Sequence, residues 1–507
     1  MSESTTVPPS RDRDRKRKRD RDRDRDRGFF GHPRGLATLF FVEMWERFSY
    51  YGMSAILLYY LYDRTADGGL GLDEPTSSAL VSIYGALAFM SGVLGGWVAD
   101  RLLGMRRAVL LGGLLIMCGH LVLALPGGVF ALLVSMVLIV LGTGLLKPNV
   151  SSLVGEVYAP DDARRDAGFS LYYMGINLGA FIAPYLVGTL GQRVDYHLGF
   201  GLAAVGMAAG LLAYVRGRAR LGDAGDVPTN PLRAGERRRA AVRAAMGAGA
   251  AAAAIVALGC TGNLTVRALI TAVTVLTVAL PVPYVIMMLR SPHTDAVERS
   301  RLIAYIPLFA GAVCYSVVNE QTGSVLARFA DKRTDLEIFG HAVPSSWFQS
   351  LNPVATLVLA PAFAWLWLAL GNRQPATPRK FATGLLLGGA SFVLMAGPGL
   401  LHGVDALASP WWLVASYAVV ICGSMCLSPV GLSATTRLAP RAFLAQMMSL
   451  WFLAPAAAGG INAQLVQLYR PTTEVAYFAG VGAAVMATGV VMHLISPWIR
   501  RRMDGVR

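Results

Sequence analysis

Three ionisable residues within five positions, Glu43, Glu46 and Arg47, stand inside an apolar run from about Leu36 to Leu61. The run is long enough to cross a bilayer as a helix of ~20 residues. A charged side chain at the centre of a membrane costs roughly 2.5–3.5 kcal/mol when it faces lipid. The i, i+3, i+4 spacing puts all three groups on one helix face. Tyr50 and Ser54 continue the same stripe, Tyr51 stands next to it, and the opposite side is Phe, Val, Met, Ile and Leu. A structural ion pair between helices needs one acid and one base. Two acids, a guanidinium and two tyrosine hydroxyls fit a functional polar cavity better than helix glue.

Other apolar stretches carry matching groups. Lys147 follows Gly142-Thr143-Gly144 and precedes Pro148-Asn149. Snorkelling to the surface is one reading of such a lysine. The small residues and the proline favour a close-packed, inward-facing position. The spacing of a nucleotide-binding P-loop is missing there. Glu320, in Asn319-Glu320-Gln321-Thr322-Gly323, is a third buried carboxylate and requires a partner, for which Lys147 and Arg47 are the candidates. Asn177 could simply bond a neighbouring helix. Gln349 and Asn352 precede Pro353, Ser428 precedes Pro429, and a lone Trp451 is more often packing than ligand contact. No Ser/His or metal-ligand cluster sits within the apolar spans, and His120 and His493 fall near span ends. The chain therefore reads as neither an enzyme nor a metal or cofactor protein.

Composition sets the class. Hydrophobic residues make up 54% of the 507, and charged residues 15%, against roughly 25% charged in soluble domains. This is an all-α polytopic membrane protein. Period-2 alternation, the mark of a membrane β-barrel, is absent. The net charge of +15 does not indicate nucleic acid, because its placement is wrong for that. The run Arg11–Arg27 holds eleven basic and six acidic residues, and the remaining bases lie in short loops, where they report orientation. The five cysteines, Cys118, Cys260, Cys314, Cys422 and Cys426, suggest no disulfide framework or zinc site and read as buried small hydrophobes.

Residues 1–35 read as a disordered Arg/Asp-rich tail. Fourteen apolar spans follow, at about 36–62, 78–100, 107–125, 128–153, 167–190, 198–216, 240–259, 266–289, 302–326, 348–370, 380–398, 410–433, 444–468 and 475–497. Arginines crowd the turns after the even-numbered spans, which puts both termini in the cytoplasm. The loop with Arg328, Lys332 and Arg333 is an exception, balanced by Asp331, Asp335 and Glu337. The organisation expected is a six-helix bundle over 36–216, a linker with two additional helices over 217–301, a second six-helix bundle over 302–497 and a short tail over 498–507. The additional pair carries almost no polar residues and reads as a lipid-facing addition. The turn after the second span, with Gly95, Asp100, Arg101, Gly104 and Arg106, resembles the cytoplasmic loop signature of the major facilitator superfamily.

Taken together, these motifs resemble a more specific family. Glu43-x-x-Glu46-Arg47-Phe48-x-Tyr50-Tyr51-Gly52 is similar to the first-helix signature of the proton-dependent oligopeptide transporters, and Phe169–Gly179 to their second signature. The pieces around Lys147, Glu320-Gln321, Asn352-Pro353, Ser428–Ser433 and Trp451 fit as well, so the resemblance covers residues 36 to 500. It implies a major facilitator fold with twelve core helices and two extra ones, as in bacterial members. It implies a symporter of di- and tripeptides in the bacterial cytoplasmic membrane, monomeric and driven by the proton gradient without a cofactor. By the same resemblance Glu43, Glu46, Arg47, Lys147 and Glu320 serve proton coupling. Arg47, Tyr50, Tyr51, Tyr84, Lys147, Asn177, Asn352, Ser424 and Trp451 would meet the substrate. Three positions depart from the pattern: Ser54 replaces an arginine, Ser316 a tryptophan, and Ser424 the glutamate that receives a peptide's amino terminus. These departures keep open a different small-molecule substrate on the same scaffold, with a non-transporting sensor as the remote alternative.

Overall fold

The computed structural model describes residues 28–503 apart from 159–161, 163, 233, 263, 264 and 339. The Arg/Asp repeat and the last four residues lie outside the described residues. Fourteen long helices succeed one another. The first six are α1 (Arg34–Tyr62), α2 (Glu74–Val98), α3 (Met105–Leu123), α4 (Gly128–Glu156), α5 (Arg165–Ala183) and α6 (Tyr196–Gly217). Next come α7 (Ala234–Cys260) and α8 (Val266–Ala279), which continues as Pro281–Arg290. The last six are α9 (Ala296–Glu320), α10 (Leu351–Leu370), α11 (Thr377–Met395), α12 (Trp411–Leu438), α13 (Leu444–Leu465) and α14 (Glu474–Arg502). The expected spans match these to within several residues. Among the described residues, the all-α reading gains a hairpin of two-residue strands, Glu337–Ile338 with His341–Ala342, and two isolated bridges, Phe29 with His32 and Thr334 with Ala408.

Local chemistry sets several helix ends. The side chains of Asp73, Asp195 and Thr265 accept backbone N–H groups at the starts of α2, α6 and α8. Asp295 and Glu298 form a reciprocal capping box on α9. Pro148, Pro429 and Pro455 lie inside α4, α12 and α13. Each removes a backbone hydrogen bond and loosens its helix locally.

In the first half α1 packs on α5 and α6, α3 on α4 and α6, and α2 on α4. In the second half α11 packs on α12 and α14, and α9 on α13 and α14. The halves meet where α2 runs along α13 and α5 touches α10. The extra pair is not wholly peripheral. One face of α8, with Ile270, Val273 and Thr277 buried, packs on α13 and α2, and Thr274 Oγ1 donates to the Gly460 carbonyl at 2.8 Å. The core fills the second half as one cluster and the first half as two, one toward each end.

At the end opposite the arginine-rich turns, a row of polar contacts ties the halves together. Tyr62 donates to Asp331 at 2.7 Å, Trp347 to Thr189 at 2.9 Å, and Ser350 to the Phe181 carbonyl at 2.9 Å. Gln192 bonds both Ser345 Oγ and the Ser346 N–H, at 2.8 and 3.1 Å.

Three expectations need correction. Arg328 and Lys332 sit on a short helix, Val325–Lys332, rather than in a loop. Lys332 does pair with Asp331, at 2.9 Å, but Arg328 pairs with Glu74 and Arg333 with Glu474, at 2.7 and 3.0 Å. Both arginines are buried, so each takes a carboxylate that tertiary packing brings near rather than one adjacent in sequence. The end of the supposed tail is docked: His32 Nδ1 lies 2.8 Å from the Tyr158 hydroxyl, and Arg164 donates to the Gly31 carbonyl. Of the cysteines only Cys426 is buried, while Cys118 and Cys260 are exposed, as a membrane-facing apolar surface permits.

Candidate functional site

The α1 stripe turns inward. Glu43, Glu46 and Arg47 are 2%, 0% and 3% exposed. Arg47 Nε lies 3.2 Å from Glu43 Oε1 and 2.5 Å from Glu46 Oε2, so one guanidinium edge serves two carboxylates. Among the described residues, Glu43 Oε2, Glu46 Oε1 and Arg47 Nη2 have no hydrogen-bond partner. Buried polar atoms in that condition can bind water or a ligand. The Arg47 guanidinium carbon also lies 5.3 Å from the centre of the Tyr50 ring, a cation–π distance. Tyr50 stacks on Tyr84 at 6.1 Å and meets Tyr51 edge-on at 5.3 Å. This aromatic group leads from the ionic cluster into a cavity between the halves.

Lys147 takes the inward position. Pro148 follows it on α4, and its Nζ lies 4.5 Å from the centre of the Phe89 ring of α2. It is within electrostatic reach of Arg47, Glu46, Glu43 and Glu320. Among the described residues it forms no ion pair within 4.0 Å. The partner expected for Glu320 is therefore near but not bonded. Glu320 instead accepts from its neighbour Asn319 at 3.3 Å. Lys147 is on the first half and Glu320 on the second, so their separation depends on how the halves are docked.

The central cavity has a volume of about 150 Å³. The first half lines it with Tyr50, Tyr51, Ser54, Tyr84 and Asn177, and the second with Glu320 and Asn352. Asn177 uses its amide N–H on the Tyr173 carbonyl at 2.9 Å, leaving its oxygen as the available acceptor. Four residues expected to meet the substrate are not among those lining this cavity: Arg47 and Lys147, which lie behind its wall with Glu43 and Glu46, and Ser424 and Trp451. Ser424 bonds Ser428 at 3.1 Å. Trp451 packs on Gly431 of α12, where even a Cβ would come within 2.1 Å of its ring. Other lining groups carried weak signals or none. Thr322, Gly323 and Ser324 belong to the turn that breaks α9, foreshadowed by the glycine after Glu320-Gln321-Thr322. Tyr417, which donates to the Thr322 carbonyl at 3.1 Å, had no sequence signal, since one tyrosine in an apolar helix looks like core.

The closed end carries its own ionisable cluster. Tyr196 donates to Asp63, and Burial raises the Asp63 carboxyl above the usual carboxylate range; Asp331 adds to this, while Tyr196 and Lys332 oppose it. At the arginine-rich end the loop motif folds onto the linker after α6. Asp100 accepts from Thr229 at 3.0 Å, Arg101 pairs with Glu236 at 2.9 Å, and Arg106 lies 3.6 Å from Asp226. Gly104 has φ +79°, which favours glycine, and its missing Cβ leaves room for the Asp226 carbonyl. Gly95 lets α2 touch the α4 backbone at Gly144.

Comparison with known proteins agrees with this arrangement. The POT family profile matches residues 106–487. The chain is 52% identical over 481 residues to the uncharacterised transporter YclF of Bacillus subtilis (strain 168), covering 95% of this chain and 97% of that one. It is 45% identical to the di-/tripeptide transporter of Lactococcus lactis subsp. cremoris, covering 94% and 98%. A crystal structure of peptide transporter POT in complex with sulfate superposes with a TM-score of 0.92, at 57% identity, over 95% of this chain and 98% of that one. With two six-helix halves around a polar cavity and these relatives over nearly its whole length, the chain belongs to the POT family, the proton-dependent oligopeptide transporters.

Proposed function

We propose that this protein imports di- and tripeptides, or peptide-like compounds, together with protons across the bacterial cytoplasmic membrane. One observation carries the reading: a buried set of two carboxylates and a guanidinium lies directly behind Tyr50, which lines a cavity built by both halves, with Lys147 and Glu320 in electrostatic reach. The relatives named as peptide transporters support it. Arg47 and Lys147 would meet the substrate carboxylate, and the tyrosines and Asn177 and Asn352 its backbone. Proton uptake at Glu43, Glu46 or Glu320 would weaken the acid–base attractions and let the bundles at about 36–216 and 302–497 rock about the cavity. The arginine-rich end would face the cytoplasm, with both termini there, and the tied end the outside, so this conformation is closed toward the outside. The protein would act as a monomer on the proton gradient alone, without a cofactor.

The test is reconstitution. Dialanine added outside proteoliposomes should acidify the lumen, and an unchanged internal pH, with dialanine entering, would refute proton coupling.

Glu320 is the one carboxylate among the residues lining the cavity, with Ser54 beside it and Ser424 bonded elsewhere. This favours a second reading, in which the substrate lacks a free α-amine, because an ammonium in a dry pocket needs a counter-charge. Counterflow with free and N-acetylated dialanine separates the two: preference for the free dipeptide rejects the second reading.

A further inference from the structure

α7 stands off the bundle. Its described side chains are exposed, apart from a half-buried Ala240. Where its first turns pass the arginine-rich end of α2, a cavity of about 440 Å³ opens, lined by Trp97, Arg101, Leu232, Glu236, Arg239 and Ala240. Trp97 is 45% exposed, and an exposed indole near the end of a spanning helix suits the lipid–water interface. Arg101 reaches Glu236 at 2.9 Å, and its side chain remains 20% accessible. Arg239 lies three residues beyond Glu236, on the same helix face. Two arginines and one glutamate thus line the groove. Arg238, next to Arg239 in the chain, is exposed as well.

We propose that this groove binds the headgroup of an anionic phospholipid. A guanidinium offers a phosphodiester two parallel N–H donors. The indole and Leu232 suit the glycerol and first acyl carbons. The exposed Val242 and Met246 of α7 continue as an apolar track for the chains. A zwitterionic lipid lacks the net charge that the second arginine attracts. Basic pockets between helices on the cytoplasmic side are a general means of holding anionic headgroups. The groove shares no residue with the transport cavity.

The test is native mass spectrometry of the detergent-solubilised full chain, titrated with phosphatidylglycerol or with phosphatidylcholine of the same acyl chains. Phosphatidylglycerol should bind preferentially. Arg239→Gln should lower its occupancy about fivefold, the loss of one basic residue's attraction. Glu236→Gln, which removes the opposing carboxylate, should raise it, and Arg501→Gln, on a remote cytoplasmic helix end, should leave it unchanged. Equal binding of the two lipids would overturn the proposal. So would a loss in Arg501→Gln as large as in Arg239→Gln, which would mean only a diffuse charge effect. Displacement of the lipid by millimolar inorganic phosphate would mark a free-anion site and overturn the assignment to lipid.

Discussion

Arg328 of the second half is ion-paired with Glu74 of the first half, Nε to Oε2 at 2.7 Å, with the arginine side chain only 4% exposed. The pair crosses between the halves at the closed end, near the Tyr62–Asp331 and Gln192–Ser345 bonds. Removing one partner of a buried pair leaves an uncompensated charge, at a cost of ~3–5 kcal/mol when fully buried. Glu74 is 37% exposed, so solvent offsets much of that. Glu74→Gln should loosen the closed end without unfolding the protein. A cysteine placed at Ser82, which lines the central cavity, in a background lacking the five native cysteines, should react several-fold faster with an impermeant thiol reagent added at that end. An unchanged rate would mean the remaining contacts hold the end shut alone.

Glu320 faces the cavity, and among the described residues Asn319 is its one side-chain hydrogen-bond partner. Glu320→Gln keeps the shape and removes the exchangeable charge. Concentrative uptake driven by a proton gradient should fall at least tenfold, about 1.4 kcal/mol of coupling, while counterflow exchange persists. Loss of both together would assign Glu320 to substrate binding rather than coupling.

Arg47 serves two carboxylates from one edge of a planar group. Lysine retains the charge but as a compact ammonium, which does not reproduce an Nε–H set between two carboxylates. Arg47→Lys should fold, because the two carboxylates keep a counter-charge, yet transport slowly. The initial uptake rate, compared with melting temperature, distinguishes a lost site from a lost fold.

Asp63 lies beyond the end of α1, and its carboxyl is held above the ordinary range chiefly by burial. A raised carboxyl favours the protonated form in the folded protein. Its contribution to stability is complete below the unfolded-state value and is lost as pH rises through the folded-state value. The wild-type protein should therefore melt higher on the acid side of that window than above it. Asp63→Asn, which can still accept from Tyr196, should flatten the dependence and raise the melting temperature at neutral pH. A parallel pH curve for the variant would assign the effect to another group.

Gly95 and Gly96 are adjacent, yet only one touches α4. A Cβ on Gly95 would lie 1.9 Å from the Gly144 carbonyl oxygen, whereas one on Gly96 would meet nothing within 4 Å. Gly95→Ala should destabilise by ~1–3 kcal/mol through forced backbone movement. Gly96→Ala should be neutral or stabilising by up to ~1 kcal/mol, from helix propensity alone. Thermal melts of the two variants give the comparison directly.

Much of this protein was legible in its residues taken in order. The apolar runs require helices, since lipid offers no partner for an open backbone, and all fourteen formed. The charges of α1 had to turn away from lipid, and Lys147, with small residues before it and a proline after it, turned inward too. Periodicity and desolvation are local, so the sequence states them. Pairing between distant segments is not local. Nothing near Arg328 or Arg333 in the chain names Glu74 or Glu474 as their partners. Tyr417 entered the cavity wall and Trp451 stayed outside it because helix rotation and crossing, set by side-chain packing over the whole bundle, decide which face of an apolar helix meets the cavity. Tertiary structure alone also decided that Lys147 and Glu320 approach without touching, since that separation depends on how the two halves are docked.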